Sequence, residues 1–421
     1  MQAEWAETGG GDVRIIGNIV ETGDWGNRSM AHQDGRSQHD AFTKTKLTRR
    51  DFVAKAGLTA AALGVAGSVS AVAAGCGSSS DSSGSSGSAA SSEAAIVRFV
   101  FAPDPIWNYM NDTGIVARYE EKYNMKIVNT ETWDETAWFI GGHADIASTA
   151  SYETPTMQLN SGREFIAFGQ YNMMRNTIFV KADSPYQSIE DLKGKRIAVS
   201  GGGADAIMWR AMILKKYGLD MKLGGGDFKC NVQEFDAMPT ALEREQIDAC
   251  VGLIDYEIPY MVDGTHRWLF PDLPTGWEFY RENFDPDKQH IGVMMNLFVG
   301  QKEWVDKNPK LCEGFNMMWQ VGVNEYWADK QASILAYPDL YTVKNDEELQ
   351  WFLSYLENHD SCVQTVYMDK VWTEKEAKVV DLCMETGTIP ADAPPTVYKI
   401  MSSPADAPDE AVPPAATVNE V

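Results

Sequence analysis

From residue 95 to residue 390 the chain alternates short apolar runs with stretches of helical period, and this alternation limits the fold more than any other feature. Residues 96–101 (I-V-R-F-V-F) read as a strand that stops at Pro103. A helix over 109–123 and strands at 125–128, 144–148 and 164–168 follow, and a strand at 177–180 closes a first lobe over 95–181. A second lobe over 182–288 opens with a turn at Lys193 and Gly194, a buried strand at 196–199, a glycine loop at 201–203 and a helix over 204–217. The pattern repeats with a strand at 230–235, a helix across 239–245, a strand at 249–253 and a helix near Pro259. Residues 290–299 read as a return strand, so 289–390 is expected to add that strand and C-terminal helices to the first lobe. The Pro- and Ala-rich residues 391–421 read as a disordered tail. Apolar strands alternating with amphipathic helices are the pattern of an α/β protein, each lobe a mostly parallel sheet flanked by helices. With 421 residues, 44% of them hydrophobic, the chain has core material for more than one such unit.

The start of the chain reads as an address. Basic residues 44–55 precede an uncharged Ala/Gly/Val stretch over 56–74, the layout of a secretory signal. Arg49 and Arg50, followed by Asp51 and Phe52, resemble the twin-arginine (Tat) export signature. A single transmembrane helix is the competing reading, weakened by Gly57, Gly64, Gly67, Ser68 and Ser70. Residues 73–76 (A-A-G-C) resemble a lipobox, which would make Cys76 a lipid-bearing mature N-terminus. Cleavage after residues 71–73, an A-x-A site, is the alternative. The Ser/Gly run that follows, counted with Cys76 as a tether over 76–94, favours lipidation because it behaves as a flexible spacer. Residues 1–29 fit no signal, carrying five acidic side chains against Arg14 and Arg28, and Met30 is the expected start of residues that function as one.

The formal net charge is -24, and residues 1–75 carry 8 acidic and 8 basic side chains, so the acidic excess lies after Gly75. That argues against nucleic acid or an anionic membrane face as a partner and fits a dispersed, exported surface. Besides Cys76 there are Cys230, Cys250, Cys312, Cys362 and Cys383, with no C-x-x-C spacing, so neither a zinc site nor a disulfide framework is implied.

The run D-L-K-G-K-R-I-A-V at 191–199 resembles the second-lobe opening of type 2 periplasmic binding proteins of the nitrate/sulfonate/taurine and thiamine-pyrimidine group. G-G-H-A-D-I-A at 141–147 is similar to that group's G-x-x-D-I-A run, E-Q-I-D-A at 245–249 to its G-E-I-D-A counterpart, and N-P-K at 308–310 to the start of its first C-terminal helix. Arg244, Glu245 and Gln246 depart from it where the group commonly has glycine. The resemblance implies two lobes joined by a hinge near Val180 and His290, and a monomeric, extracytoplasmic, cofactor-free component of an ABC importer that captures a small solute for a permease and an ATPase.

In parallel α/β sheets ligands sit outside the carboxyl ends of strands, so the loops there carry the candidate site. These loops hold Asp104, Trp107 and Tyr109, then Trp133 and Asp134, then Ser148 and Thr149, and finally Ser200, Gly201, Gly202 and Gly203. Gln170 and Asn172 at the end of the fourth strand, and Asp255 and Tyr256 after Leu253, complete the set. The glycine loop could cradle an anion at a helix start or be a plain tight turn. Ser148 and Thr149 could donate hydroxyls to a ligand or cap the next helix. Trp107, Tyr109, Trp133 and Trp138 offer flat walls, with Asp104 and Asp134 as acceptors, unless some of them, Trp138 above all, belong to the core. Arg175 and Arg210 read as surface or helix-face residues. The balance favours a planar, nitrogen-containing solute such as a thiamine pyrimidine precursor, with a sulfonate or nitrate anion as the alternative. A ligand-sensing lipoprotein or an enzyme on the same fold is a further one. His143, His266, His290 and His359 show no H-E-x-x-H spacing, and neither a G-x-S-x-G elbow nor a dinucleotide glycine fingerprint is present, so no catalytic or metal residue is assigned.

Overall fold

The computed structural model describes residues 93–200 and 204–414, which leaves Arg49, Arg50, Cys76, Gly201, Gly202 and Gly203 outside the described residues. The chain runs through β1 (Ala95–Phe101), α1 (Pro105–Asp112), α2 (Ile115–Tyr123), β2 (Met125–Glu131), α3 (Glu135–Ile140), β3 (Ile146–Thr149), α4 (Thr154–Ser161), β4 (Phe165–Met173) and β5 (Thr177–Lys181). It continues through β6 (Arg196–Val199), α5 (Ala204–Tyr217), β7 (Lys229–Val232), α6 (Met238–Glu243), β8 (Ala249–Gly252), α7 (Ile254–Val262), β9 (His266–Trp268) and α8 (Gly276–Phe284). The last part holds β10 (Met294–Gln301), α9 (Lys302–Lys307), α10 (Pro309–Ala328), α11 (Lys330–Ala336), α12 (Asp346–His359), α13 (Lys370–Glu385) and β11 (Val397–Tyr398).

Two sheets result, one of six strands in the order β11-β4-β10-β3-β1-β2 and one of five in the order β7-β6-β8-β5-β9. The neighbours β1 and β2, β1 and β3, β6 and β7, and β6 and β8 are parallel. Among the strands just named, antiparallel pairing is confined to the two that arrive from the other lobe and to β9: β10 runs against β3 and β4, and β5 against β8 and β9. The strand at Thr177–Lys181 therefore belongs to the second sheet, where a place closing the first was expected.

The two D-containing runs do the same work in each lobe. Arg98 of β1 donates from its backbone N–H and from Nε to Asp145, at 2.9 and 3.0 Å, and Asp145 returns its N–H to the Arg98 carbonyl at 2.8 Å. Arg196 of β6 and Asp248 repeat each of these contacts, at 2.9, 2.9 and 2.8 Å. A bidentate Arg–carboxylate clamp thus fixes the approach to β3 and to β8. Before the first clamp Gly142 turns at φ 78; before the second, Glu245 takes the equivalent left-handed turn at φ 55, which costs a non-glycine residue about 1 kcal/mol.

The expected helix over 109–123 is two helices, because Gly114 sits at φ 76 and breaks the path between them. Asp104 caps α1, accepting from the Ile106 N–H at 2.8 Å, and Pro105 occupies the first turn. Helix α10 packs on α1 and α2, burying Phe315 and Trp319 against Phe99 and Phe298. Each such ring removed from water contributes roughly 1.5–3 kcal/mol.

The C-terminal helices do not all join the first lobe. Helix α12 packs on α7 and α13 on α5, both second-lobe helices, because Leu349, Phe352, Tyr355 and Leu356 complete an apolar cluster with Ile254 and Ile258. Nor is the tail disordered as far as residue 414. Val397 and Tyr398 pair with Ile166 and Ala167 of β4, Tyr398 packs edge-on against Trp372, and Ala411 is fully buried. Among the described residues no helix is long and apolar enough to cross a membrane.

Candidate functional site

A cleft of about 420 Å³ opens between the two sheets. From the first lobe it is lined by Pro103 and Asp104 after β1, Trp133 and Asp134 after β2, and Glu153 after β3. The second lobe contributes Ser200 after β6, Glu234 and Phe235 after β7, and Leu253 after β8. All six of these strands point their carboxyl ends at one space, where parallel α/β sheets present ligands. Trp133 is 43% exposed and meets Phe235 of the opposite lobe edge-on, with ring centroids 5.6 Å apart.

At the base of the cleft stands Arg175, expected from the sequence to be a surface or helix-face residue. It lies in the three-residue connection between β4 and β5, the first crossover between lobes. Its Nε donates to Asp255 Oδ2 at 2.8 Å. Burial works against the Arg175 charge, but Asp255 and Asp104 outweigh it and hold the pKa above the ordinary arginine value. Burial pushes Asp104 up to about 6, although Arg175 and the N–H groups of Ile106 and Trp107 pull the other way. Asn172 donates from Nδ2 to Asp104 Oδ2 at 3.2 Å. Asn172 and Asp255 face a smaller chamber of about 40 Å³ that shares Asp104 and Arg175 with the main cleft and includes His359 and Asp360.

Glu135, at the start of α3, is a second unanticipated residue. Burial, reinforced by Glu153 and Asp134, pushes its carboxyl up to about 8, and its Oε2 is buried with no hydrogen-bond partner. Glu153, Glu234, Tyr171 and Asn296 complete the polar lining.

Several expected ligand contacts point elsewhere. Trp107 is 3% exposed and packs against Phe99, Phe101 and Trp319, because the cap at Asp104 turns it into the first turn of α1 and onto the core. Tyr109, half-buried on α1, packs on the same core. Ser148 is fully buried, sharing a hydrogen bond with the Tyr171 hydroxyl and accepting from Asn296 Nδ2, each at 2.8 Å. Thr149 donates to Glu153 at 2.8 Å, and Gln170 donates to the Thr365 carbonyl at 3.2 Å, so both are internal. Tyr256 packs on the second-lobe core. Trp138 is not core: it is 42% exposed and lies edge-on to His143. Arg210 pairs with Asp220 at 2.6 Å, away from the cleft. Cys230, Cys250, Cys312, Cys362 and Cys383 are all free.

The second crossover, between α8 and β10, is held by Glu376 of α13. Its carboxylate accepts from the Ser151 hydroxyl and from the Met294 N–H at 2.8 Å, and pairs with His290 Nε2 at 2.7 Å. Both segments that carry the chain between sheets are therefore anchored by a carboxylate pair, the partly exposed Arg175 with Asp255 at one and the fully buried Glu376 with His290 at the other.

The family model described as NMT1/THI5 like matches residues 120–332. The alkanesulfonate-binding protein SsuA from Xanthomonas axonopodis pv. citri bound to MOPS is similar in structure, with a TM-score of 0.56 and 18% identity over 73% of this chain and 100% of that one. The periplasmic aliphatic sulphonate binding protein SsuA from Escherichia coli gives a TM-score of 0.52 and 17% identity over 70% of this chain and 94% of that one. At these identities the likeness establishes the fold. No curated protein sequence matches the chain. The chain has the two-lobe fold of the periplasmic binding proteins and belongs to the NMT1/THI5-like family.

Proposed function

We propose that this protein captures a small solute outside the cytoplasmic membrane by closure of its two lobes and passes it to the permease and ATPase of an ABC importer. The observation that carries this reading is one cleft of about 420 Å³ lined by strand ends from both sheets and floored by a crossover residue, Arg175. A solute touching both walls is bound best when they approach, and that difference in affinity drives closure. Trp133 and Phe235 offer faces to a planar ring, and the carboxylates of Asp104 and Asp134 offer acceptors to its N–H groups, which supports a nitrogen-containing heterocycle such as a thiamine pyrimidine precursor. Export through Arg49 and Arg50, and anchoring through a lipid on Cys76, belong to the same reading. It is a binding role with no catalytic step.

A second reading takes a sulfonate or nitrate-type anion as the solute. Arg175 in the cleft favours it, and two proteins of the same fold are sulfonate-binding proteins.

Native mass spectrometry of the folded chain, isolated from cells that export it, tests the capture role. The expected result is a non-covalent organic solute of a single mass, released on denaturation. A protein that carries no solute and is not stabilised by any member of a panel of thiamine pyrimidines, sulfonates, nitrate and amines counts against it.

A further inference from the structure

We infer that the solute is a cation, an amine or amidinium bearing N–H donors, and that Glu135 is the carboxylate that receives it. This rests on the capture role proposed above and specifies the chemical class of what is captured.

The first support is the charge of the cleft. Asp104, Asp134, Glu135, Glu153 and Glu234 line it, and the opposing cation in the lining is Arg175, whose guanidinium is already engaged by Asp255 at 2.8 Å. An anion would enter a space lined by five acidic side chains, where the Nε of Arg175 is already held by Asp255. A cation meets complementary charge from both lobes, since Glu234 belongs to the second and the others to the first.

The second support is the state of one side chain. Glu135 lines the cleft, yet its Oε2 is buried without a hydrogen-bond partner. A buried carboxyl oxygen left unmatched is costly, and such groups are nearly always paired in folded proteins. The empty cleft tolerates it because burial, Glu153 and Asp134 favour the protonated form of Glu135 at neutral pH. When a cation arrives, the proton leaves to solvent and the carboxylate accepts an N–H from the ligand. One O–H is replaced by one charged pair, and the buried oxygen gains its partner.

The third support is position. Trp133, two residues before Glu135, exposes its indole at the cleft edge opposite Phe235. A flat cation that pairs with Glu135 is within reach of an aromatic face, the arrangement that favours delocalised cations over compact ones.

The experiment uses the full chain and two flat probes of similar size and opposite charge, benzamidinium and benzenesulfonate, with agmatine and nitrate as non-aromatic counterparts. Calorimetry at pH 7 in phosphate and in Tris reads both affinity and proton exchange, and X-ray scattering reads compaction. The expected result is binding of benzamidinium with release of about one proton, as linkage requires of a carboxyl that ionises on binding. Glu135→Gln is expected to weaken that binding by about tenfold or more and to abolish the proton release. Benzenesulfonate and nitrate are expected not to bind. Benzenesulfonate binding with compaction, while benzamidinium does not bind, overturns the cation and leaves solute capture standing. Benzamidinium binding that Glu135→Gln leaves unchanged overturns the role of Glu135. No binding and no compaction with any of the four overturns the cation, and if the native protein also releases no solute, the capture role falls with it.

Discussion

Arg175 donates from Nε to Asp255 Oδ2 at 2.8 Å, tying the first crossover to the helix that follows β8, with Asp104 of the other lobe adding its charge to the same guanidinium. One side chain thus balances a carboxylate from each wall of the cleft. Removing it leaves two poorly hydrated carboxylates facing each other.

Arg175→Ala is therefore expected to cost about 3 kcal/mol, the usual consequence of breaking one side of a largely buried pair. Urea unfolding followed by fluorescence and circular dichroism measures it. Asp255→Asn combined with Arg175→Ala should recover part of the loss, since the stranded charge is then gone. A double variant no more stable than the single one contradicts this account.

Trp107 and Trp133 should separate cleanly. Trp107 is packed between Phe99, Phe101 and Trp319, so Trp107→Ala is expected to cost about 3–5 kcal/mol. Trp133→Ala should cost under about 1 kcal/mol in stability, because the ring is 43% exposed, while weakening a planar ligand measurably. Thermal unfolding and calorimetric titration of both variants check the pair.

The pH dependence of the empty protein carries a definite sign. Asp104 is pushed up to about 6 and Glu135 up to about 8, both above the range of about 4 for free carboxyls. The native chain therefore binds more protons than the unfolded one between those limits, and stability falls as pH rises from 5 to about 8. The slope is at most ~1.4 kcal/mol per pH unit for each group, less where solvent screens it. Glu135→Gln should flatten the part between pH 6 and about 8 while leaving the part near Asp104 intact. A melting temperature that rises over the same interval contradicts the assignment.

The strands and most helices were legible because burial imposes a period: β2 alternates buried Met125 and Ile127 with exposed Lys126 and Val128. The strand over 196–199 was legible instead as a short apolar run, buried from Ile197 to Val199. Arg175 was not, since a three-residue connection has no period and its surroundings come from residues 80 positions away. Trp107 and Trp133 look alike in sequence, each within three residues of an aspartate. What separates them was present: Asp104 followed by Pro105 is an N-cap signal, and it places Trp107 inside a helix whose inner face is core. Glu135, Glu153 and Glu234 carry no signal of their own, because nothing local reveals that loops from two sheets converge on one cleft. The tail was misjudged from its prolines, which here flank a short strand beside β4.

Small-angle X-ray scattering of the full chain, first emptied and then returned to the solute released from native protein, tests lobe closure most directly. The account predicts a smaller radius of gyration on binding, together with a lost or weakened response in Arg175→Ala. A bound solute that leaves the radius of gyration unchanged would contradict it.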